Sequence, residues 1–504
     1  MGITGFEQLE KEETKEVNMK PNVIFILADD MGYGDVSCYN NEGKIPTPNI
    51  DRIAREGLMC RGAHSTSAVC TPSRYSILTG RYCWRKMAKG IVELYGDAII
   101  PESRMTVANL FKDNGYRTGC IGKWHLGMTW QMKEDGTPDF TKPVLEGPTV
   151  NGFDEYFGVD VPNWPPYTYM EGKNVVEQPT EWFYKNGGNE TVSIDGPSAP
   201  NWNLEQILPD ITERACQFIT TNSQQKQPFF LYFPLTSPHT PLAVADEWKG
   251  KSGLNLYADF VLETDAMVGK VLDCLRENGI DKDTWILFAA DNGCARYIGC
   301  DELESKGHFP SYHWRGYKAD AWDGGHRIPF VMRWPECIQP GSCYDGYISL
   351  GDFMKTAADI LGVELPDSAA EDSISFYKVM KSEGPSERDV IIHHSINGKF
   401  AIRKGQWKLI LCAGSGGFEG GIGGYPSDKE AAQLGLPKYQ LYDLSTDAGE
   451  QNNLYEQNPK KAEELLEILK DYIKRGRSTP GEDQENDITC IIDPEIDEVS
   501  LLDD

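Results

Sequence analysis

The sequence predicts an α/β fold: a sheet covered by helices, then a smaller antiparallel sheet with one helix. Three observations predict it. Residues 22–28 (NVIFILA), 228–235 (PFFLYFPL) and 284–290 (TWILFAA) are unbroken apolar runs of strand length, as strands buried on both faces require. The first and last of these runs end in Asp-Asp and Asp-Asn, and open α/β sheets gather ligands at the carboxyl ends of their strands. Beyond the polar, turn-rich stretch 382–388 (SEGPSER), short strand-like runs lead to a closing helix, which suits a small α+β unit. The chain thus divides into an N-terminal extension (1–20), a large site-bearing domain (21–385), a C-terminal α+β subdomain (386–480) and an acidic, loosely held tail (481–504).

At 504 residues the chain can bury a large core. Its net charge of −28 argues against nucleic acid and anionic membrane surfaces as partners. An anionic substrate would therefore need a local cluster of Arg, Lys and His. No apolar run reaches membrane-spanning length. The thirteen cysteines show no C-x-x-C pairs, which argues against a zinc site and a disulfide framework. No secretory leader is recognisable in residues 1–20, so a reducing cytoplasm is the expected compartment.

The elements follow in order. After 22–28 come Asp29 and Asp30, two adjacent carboxylates that repel unless a positive group lies between them; alone, the pair would read as an Asp-rich turn. Residues 48–57 form a short amphipathic helix with Ile50, Ile53 and Ala54 on one face. His64 follows and is read as structural. Cys70-Thr71-Pro72-Ser73-Arg74 then opens a helix. Pro72 suits a first turn, free N–H groups there favour an oxyanion, and Arg74 adds a fork of donors. This reads as a nucleophile beside an anion seat, although a lone cysteine would more often be a buried structural one.

A helix at 105–114 stops at Gly115, and a strand at 116–121 leads to Lys123 and His125. Two apart in extended backbone, these side chains point the same way. Residues 129–205 hold Trp130, Trp164, Tyr167, Tyr169, Trp182, Tyr184 and Trp202, rings that either stack on sugars or pack the loop. His239 follows the 228–235 strand between two prolines. A helix at 256–277 precedes the 284–290 strand, which delivers Asp291 and Asn292 as the first strand delivers Asp29 and Asp30. His308, His313, Trp314 and Arg315 are placed near a substrate entrance. Lys318 precedes Trp322-Asp323-Gly324-Gly325-His326-Arg327, with Asp323 read as structural and His326 as a weak site candidate. Strands at 390–394, 400–403, 407–411 and 440–444 and a helix at 460–475 complete the chain.

Five of these blocks together resemble the formylglycine-dependent (type I) sulfatases of the alkaline-phosphatase-like superfamily. They are Asp29-Asp30-Met31-Gly32-Tyr33-Gly34-Asp35, Cys70-x-Pro72-Ser73-Arg74 with Leu78-Thr79-Gly80, Gly122-Lys123-Trp124-His125-Leu126-Gly127, Asp291-Asn292-Gly293, and Lys318 before the acidic-Gly-Gly-x-Arg block. That block carries Asp323 where Glu is more usual. Tyr442-Asp443-Leu444 and Gly449-Glu450-Gln451-Asn452-Asn453-Leu454 resemble the family's C-terminal segment.

The resemblance implies an alkaline-phosphatase-like sandwich with a large mixed sheet and a sulfatase acting on a small sulfated substrate, foremost a sugar sulfate. It implies that a maturation enzyme oxidises Cys70 to formylglycine, whose hydrate supplies the nucleophile and one ligand to a divalent metal. Asp29, Asp30, Asp291 and Asn292 are the other implied ligands; as hard oxygen donors they suit calcium, with magnesium the alternative. A covalent sulfate ester would form and then collapse with His125 as base. His239 with Lys318 would serve the leaving oxygen, and Arg74, Lys123 and Lys318 the sulfate oxygens. Two other readings stay open: a phosphodiesterase or phosphonate monoester hydrolase on the same scaffold, and a non-catalytic sulfated-glycan-binding protein if Cys70 is never oxidised. The sugar, the sulfated position and the oligomeric state are not encoded in any of these motifs.

Overall fold

In the computed structural model, residues 20–185, 193–418 and 424–492 are described. Most of the N-terminal extension and the last residues of the acidic tail lie outside them. In chain order the strands are β1 (Asn22–Ala28), β2 (Leu58–His64), β3 (Arg117–Lys123), β4 (Glu155–Val159), β5 (Met170–Glu171), β6 (Asn174–Val175), β7 (Glu181–Phe183), β8 (Gly196–Ser198), β9 (Phe229–Pro234), β10 (Thr284–Ala290), β11 (Phe330–Arg333), β12 (Ser342–Ser349), β13 (Val390–His394), β14 (Phe400–Lys404), β15 (Trp407–Ile410) and β16 (Gln440–Asp443). The helices used below are α1 (Pro48–Arg55), α2 (Cys70–Thr79), α3 (Val107–Asp113), α4 (Ile207–Ser223), α5 (Leu256–Glu277), a short α6 (Cys300–Ser305), the turn-length α7 (Asp323–His326) and α8 (Phe353–Leu361).

Ten strands form one mixed sheet in the order β12-β2-β11-β10-β1-β9-β3-β4-β5-β6. Its centre, β10-β1-β9-β3, is parallel throughout, and the apolar runs 22–28, 228–235 and 284–290 sit there, as residues buried on both faces should. Helices α1, α4 and α5 pack together as one layer, and α2, α3 and α8 as another. On the second side Phe353 of α8 meets the rings of Phe25, Trp285 and Phe230 at 4.9, 5.5 and 5.8 Å. This is the expected large mixed sheet of an alkaline-phosphatase-like sandwich.

Past residue 386, β13 to β16 form a separate antiparallel sheet in sequence order. A helix over Pro459–Lys474 lays Ala462, Leu465 and Leu469 against it. The segment 484–487 is not loosely held, contrary to the expectation for the tail. Asp487 pairs with buried Arg81 at 2.9 Å, and Arg85 donates to Asn486 at 2.8 Å. Two buried guanidinium groups need acceptors, and this acidic segment supplies them.

Several elements were not expected. Strands β4 to β8 and helix α4 come from the aromatic-rich stretch and its sequel. β11 has only four residues, and β12 is half exposed.

Candidate active site

The four central parallel strands end side by side, and each delivers a polar group at its carboxyl end. Asp29 and Asp30 follow β1, Asp291 and Asn292 follow β10, His239 follows β9, and Lys123 closes β3 with His125 two residues on. The register pairs Ala28 with Ala290, so the two acidic pairs emerge together, and the Asp30 amide donates to Asp291 Oδ1 at 3.1 Å. Backbone in the left-handed region is costly for residues other than glycine. It occurs here at Asp30 (φ 64°), at His125 (φ 50°) and at Ala319 (φ 80°), next to Lys318.

Helix α2 is buried along its whole length. It ends at Gly80 in the left-handed region (φ 63°), where a Cβ would come within 2.9 Å of Ala370. Its first turn brings Cys70 (2% exposed) and Arg74 (0%) to the strand ends. Arg74 donates through Nη2 and Nε to Asp291 Oδ2 at 2.8 and 3.1 Å, and its Nη2 lies 3.2 Å from Asp29 Oδ1. Lys123 Nζ bonds Asp29 Oδ2 at 2.8 Å.

Lys318 arrives from the loop before α7 and bonds Asp30 Oδ2 at 2.7 Å. That loop is stitched down by backbone: Lys318 N to Cys294 O and Ala319 N to Ala68 O, both 2.8 Å, and Ile396 N to Ala319 O at 3.1 Å. Gly293 permits the approach, because a Cβ there would sit 1.9 Å from Gly324 O. Three carboxylates and three permanent cations are thus interleaved within one buried cluster.

Asn292 Nδ2 donates to Asp30 Oδ1 at 2.8 Å, leaving its Oδ1 buried without a partner. Asp29 Oδ1 has no partner beyond its 3.2 Å ion-pair contact with Arg74. Orphaned buried acceptors among hard oxygen donors are what a divalent cation satisfies. The residues present fit such a cation. Burial opposes charge on Asp29, but Lys123, and with it Arg74 and Lys318, outweigh it and hold the carboxyl well below its usual range. Burial opposes charge on Lys318 too, yet Asp30 keeps its ammonium well above its usual range.

Both active-site imidazoles are held neutral. His125 is pushed down to about 3, by burial first and Lys123 next, and neither ring nitrogen has a partner. His239 is pushed down to about 4, by burial and then Lys318. Its Nδ1 contacts the Thr240 carbonyl, which can only accept, so Nδ1 carries the proton and Nε2 faces Asp30 Oδ2 at 3.6 Å as a lone pair.

All ten sequence-predicted site residues, namely Cys70, Arg74, Lys123, His125, His239, Lys318, Asp29, Asp30, Asp291 and Asn292, converge here. Other candidates do not. His308 is buried against Asp35 at 2.8 Å, Arg315 stacks on Trp322 and donates to the Glu450 carbonyl, and Trp314 packs under Arg327. His326 joins His64 and His393 in a second buried cluster. There the His326 and His393 rings stack at 3.6 Å and 8°, and parallel stacked rings cannot aim in-plane lone pairs at one ion. Lys408 binds Asp323 and Glu450 beside them, at 2.8 and 2.7 Å.

Of the aromatics in 129–205, Trp130 and Tyr167 are core, and Tyr169 and Trp202 pack together. Trp164 alone reaches the site, edge-on to His125 at 5.5 Å. Trp182 and Tyr184 are exposed. Asp160, which accepts the His125 amide at 3.0 Å, and Tyr257, which donates to the Asp30 carbonyl at 3.2 Å, carry no sequence signal.

Comparison with known proteins agrees with this geometry. The Sulfatase family model matches residues 21–363. An N-acetylgalactosamine-6-O-sulfatase of Bacteroides thetaiotaomicron is 32% identical, over 93% of this chain and 96% of its own length. An N-acetylgalactosamine-6-sulfatase of Mus musculus is 30% identical, over 78% of this chain and 72% of its own. A solved structure from work on glycosaminoglycan metabolism by Bacteroides thetaiotaomicron superposes with a TM-score of 0.78 at 31% identity, covering 90% of this chain and 99% of that one. With the strand-end carboxylates, the Cys70 helix and the lysine loop assembled in one place, this chain belongs to the sulfatase family and is a sulfuric ester hydrolase.

Proposed function

We propose that this sulfatase removes a 6-O-sulfate from an N-acetylated amino sugar of the kind found in glycosaminoglycans, using formylglycine made from Cys70 and a bound calcium ion. The observation that carries the substrate is the near full-length similarity to a bacterial enzyme named for N-acetylgalactosamine 6-sulfate, with a mouse relative named for the same sugar. The phosphodiester and binding-protein readings have no comparable observation behind them.

Asp29, Asp30, Asp291 and Asn292 would hold the calcium through oxygen donors, which suits a hard cation better than zinc. Calcium would lower the pKa of a bound hydroxyl and offset sulfate charge, and the hydrated aldehyde of residue 70 would supply the attacking oxygen. Arg74, Lys123 and Lys318 supply fixed positive charge where the sulfate oxygens sit, in a buried site where it counts most. His125, neutral and unpartnered at both ring nitrogens, is the base. Lys318, which stays charged, donates to the leaving oxygen. His239 offers an acceptor lone pair until the incoming anion favours its protonation, and then shares that role.

The test is sulfate release by matured protein from N-acetylgalactosamine 6-sulfate, N-acetylglucosamine 6-sulfate, N-acetylgalactosamine 4-sulfate, an aryl sulfate and a phosphodiester. Selective release from a 6-sulfated amino sugar is expected. Release from the 4-sulfate alone would overturn the position, and phosphodiester cleavage without sulfate release would overturn the reaction.

A further inference from the structure

We infer that Trp182 and Tyr184 form a stacking surface for further sugar units of the substrate, so that the enzyme prefers a sulfated oligosaccharide to the monosaccharide; this rests on the sugar-sulfate reading above. The first observation is exposure. Trp182 is 54% and Tyr184 67% exposed, and among the described tryptophans only Trp182 is open to this degree. Large rings are normally buried for the apolar area they remove from water. Two of them left in solvent side by side mark a contact surface.

Strand pairing sets which side chains face out. Phe183 of β7 turns inward, its ring 4.2 Å from that of buried Tyr167. Side chains alternate along a strand, so Trp182 and Tyr184 share the outer face, with ring centres 6.5 Å apart. Trp182 pairs with Pro197 of β8, and opposed residues share a face, so the partly exposed Pro197 extends the apolar surface. The hairpin is fastened to the segment before it. Tyr167 bridges Ser198 and donates its amide to the Pro197 carbonyl at 2.9 Å, and its hydroxyl donates to the Ile194 carbonyl at 2.7 Å. Gly196 lets the two lie flush, since a Cβ there would come 2.4 Å from Pro165 Cγ.

That same segment reaches the active site. Trp164 is partly exposed and meets His125 edge-on at 5.5 Å, so it joins the buried centre to solvent. From Trp164 to Trp182 the backbone path is three residues and two strand spacings, roughly 20 Å at most. A sugar chain with its sulfated unit in the site covers that distance. The chemistry suits it: Arg74, Lys123 and Lys318 serve the sulfate, while the rings of Trp182 and Tyr184 offer apolar faces for the C–H faces of sugars. Their indole N–H and hydroxyl supply hydrogen bonds at the rim. Continuity with His125 is what assigns this surface to the rest of the substrate.

The experiment compares wild type with Trp182→Ala and Tyr184→Ala on a sugar monosulfate, on a tetrasaccharide carrying the same sulfated unit, and on 4-nitrophenyl sulfate. Wild type should favour the tetrasaccharide over the monosaccharide by about tenfold or more in kcat/KM. Each variant should lose about fivefold or more on the tetrasaccharide, chiefly through KM, and stay within about twofold on the two small substrates, which also reports that the fold and catalytic groups are intact. No preference in the wild type, no loss in the variants, or equal losses on large and small substrates would overturn the surface. Sedimentation showing a wild-type dimer that Trp182→Ala turns into a monomer would give this face to a second copy instead. A wild type that cleaves the aryl sulfate but no sugar sulfate would overturn the sugar reading, and this inference with it, before any variant is made.

Discussion

Lys318 Nζ and Asp30 Oδ2 meet at 2.7 Å, and the contact joins two parts of the chain that share no secondary structure. Asp30 is fixed by the end of β1. Lys318 is fixed by backbone bonds from its loop to Cys294, and through Ala319 to Ala68 and Ile396. The pair places an ammonium beside the implied metal ligands while burial and charge keep it protonated.

Lys318→Ala should therefore lower kcat about 100- to 1,000-fold, the scale for removing a proton donor or charge stabiliser from a reacting centre. Steady-state kinetics on the preferred sugar sulfate check it. A loss below fivefold would remove Lys318 from the chemistry.

Withdrawing the calcium proposed above should leave Asp29, Asp30 and Asp291 without a cation. Dialysis against EGTA with excess magnesium is expected to lower Tm by several degrees and abolish turnover, with both restored by calcium. Unchanged Tm and rate under these conditions would point to magnesium or to no metal.

Acid should destabilise the fold through histidines outside the catalytic centre. His393 is pushed down to about 3, by burial and then Lys408, and His394 to about 4 by burial. Their folded values lie below the unfolded 6.5, so the unfolded chain takes up protons first as pH falls. Stability is full above about pH 6.5 and drops toward pH 4, by about 2 kcal/mol for each residue between pH 7 and 5. Urea unfolding at the two pH values measures this, and His394→Gln should flatten the slope by its share. Identical slopes would refute the assignment.

Lys408→Met should cost about 3–5 kcal/mol, because it strands Asp323 and Glu450 without their buried counter-charge. Equilibrium unfolding reads this directly. A loss below about 1 kcal/mol would show that the cluster rearranges.

The central strands were legible because burial on both faces writes an unbroken apolar run, as in Ile24 to Leu27 and Ile286 to Ala289. The edges were not. β12 is half exposed and β11 has four residues, so neither leaves a run or a period long enough to read. α4 buries Ile207, Leu208, Ile211, Ala215, Phe218 and Ile219 at helical spacing and was available to a periodicity reading.

At the site, the motif residues were legible through the family resemblance and the strand-end logic. His308, Trp314 and Arg315 make loop-holding contacts, a use that a cluster of aromatic and basic residues serves as well as ligand binding. Asp160 and Trp164 matter only because of what folds against them, and no local pattern marks that.

The complete burial of α2 has a consequence for biosynthesis. The maturation enzyme proposed for Cys70 would have to grip this stretch as exposed chain, and the folded protein offers none of it. The conversion proposed for Cys70 would therefore belong to the nascent or unfolded polypeptide, and an unconverted chain that folds would be locked out of activation. Adding a formylglycine-generating enzyme to purified native protein should leave the Cys70 peptide mass unchanged, whereas co-expression should shift it by the loss of sulfur and two hydrogens and the gain of one oxygen. Late conversion of native protein would show that α2 unravels on its own. On that reading the yield of active enzyme would be set by a race between oxidation and collapse, and slowing translation past residue 80 should raise it.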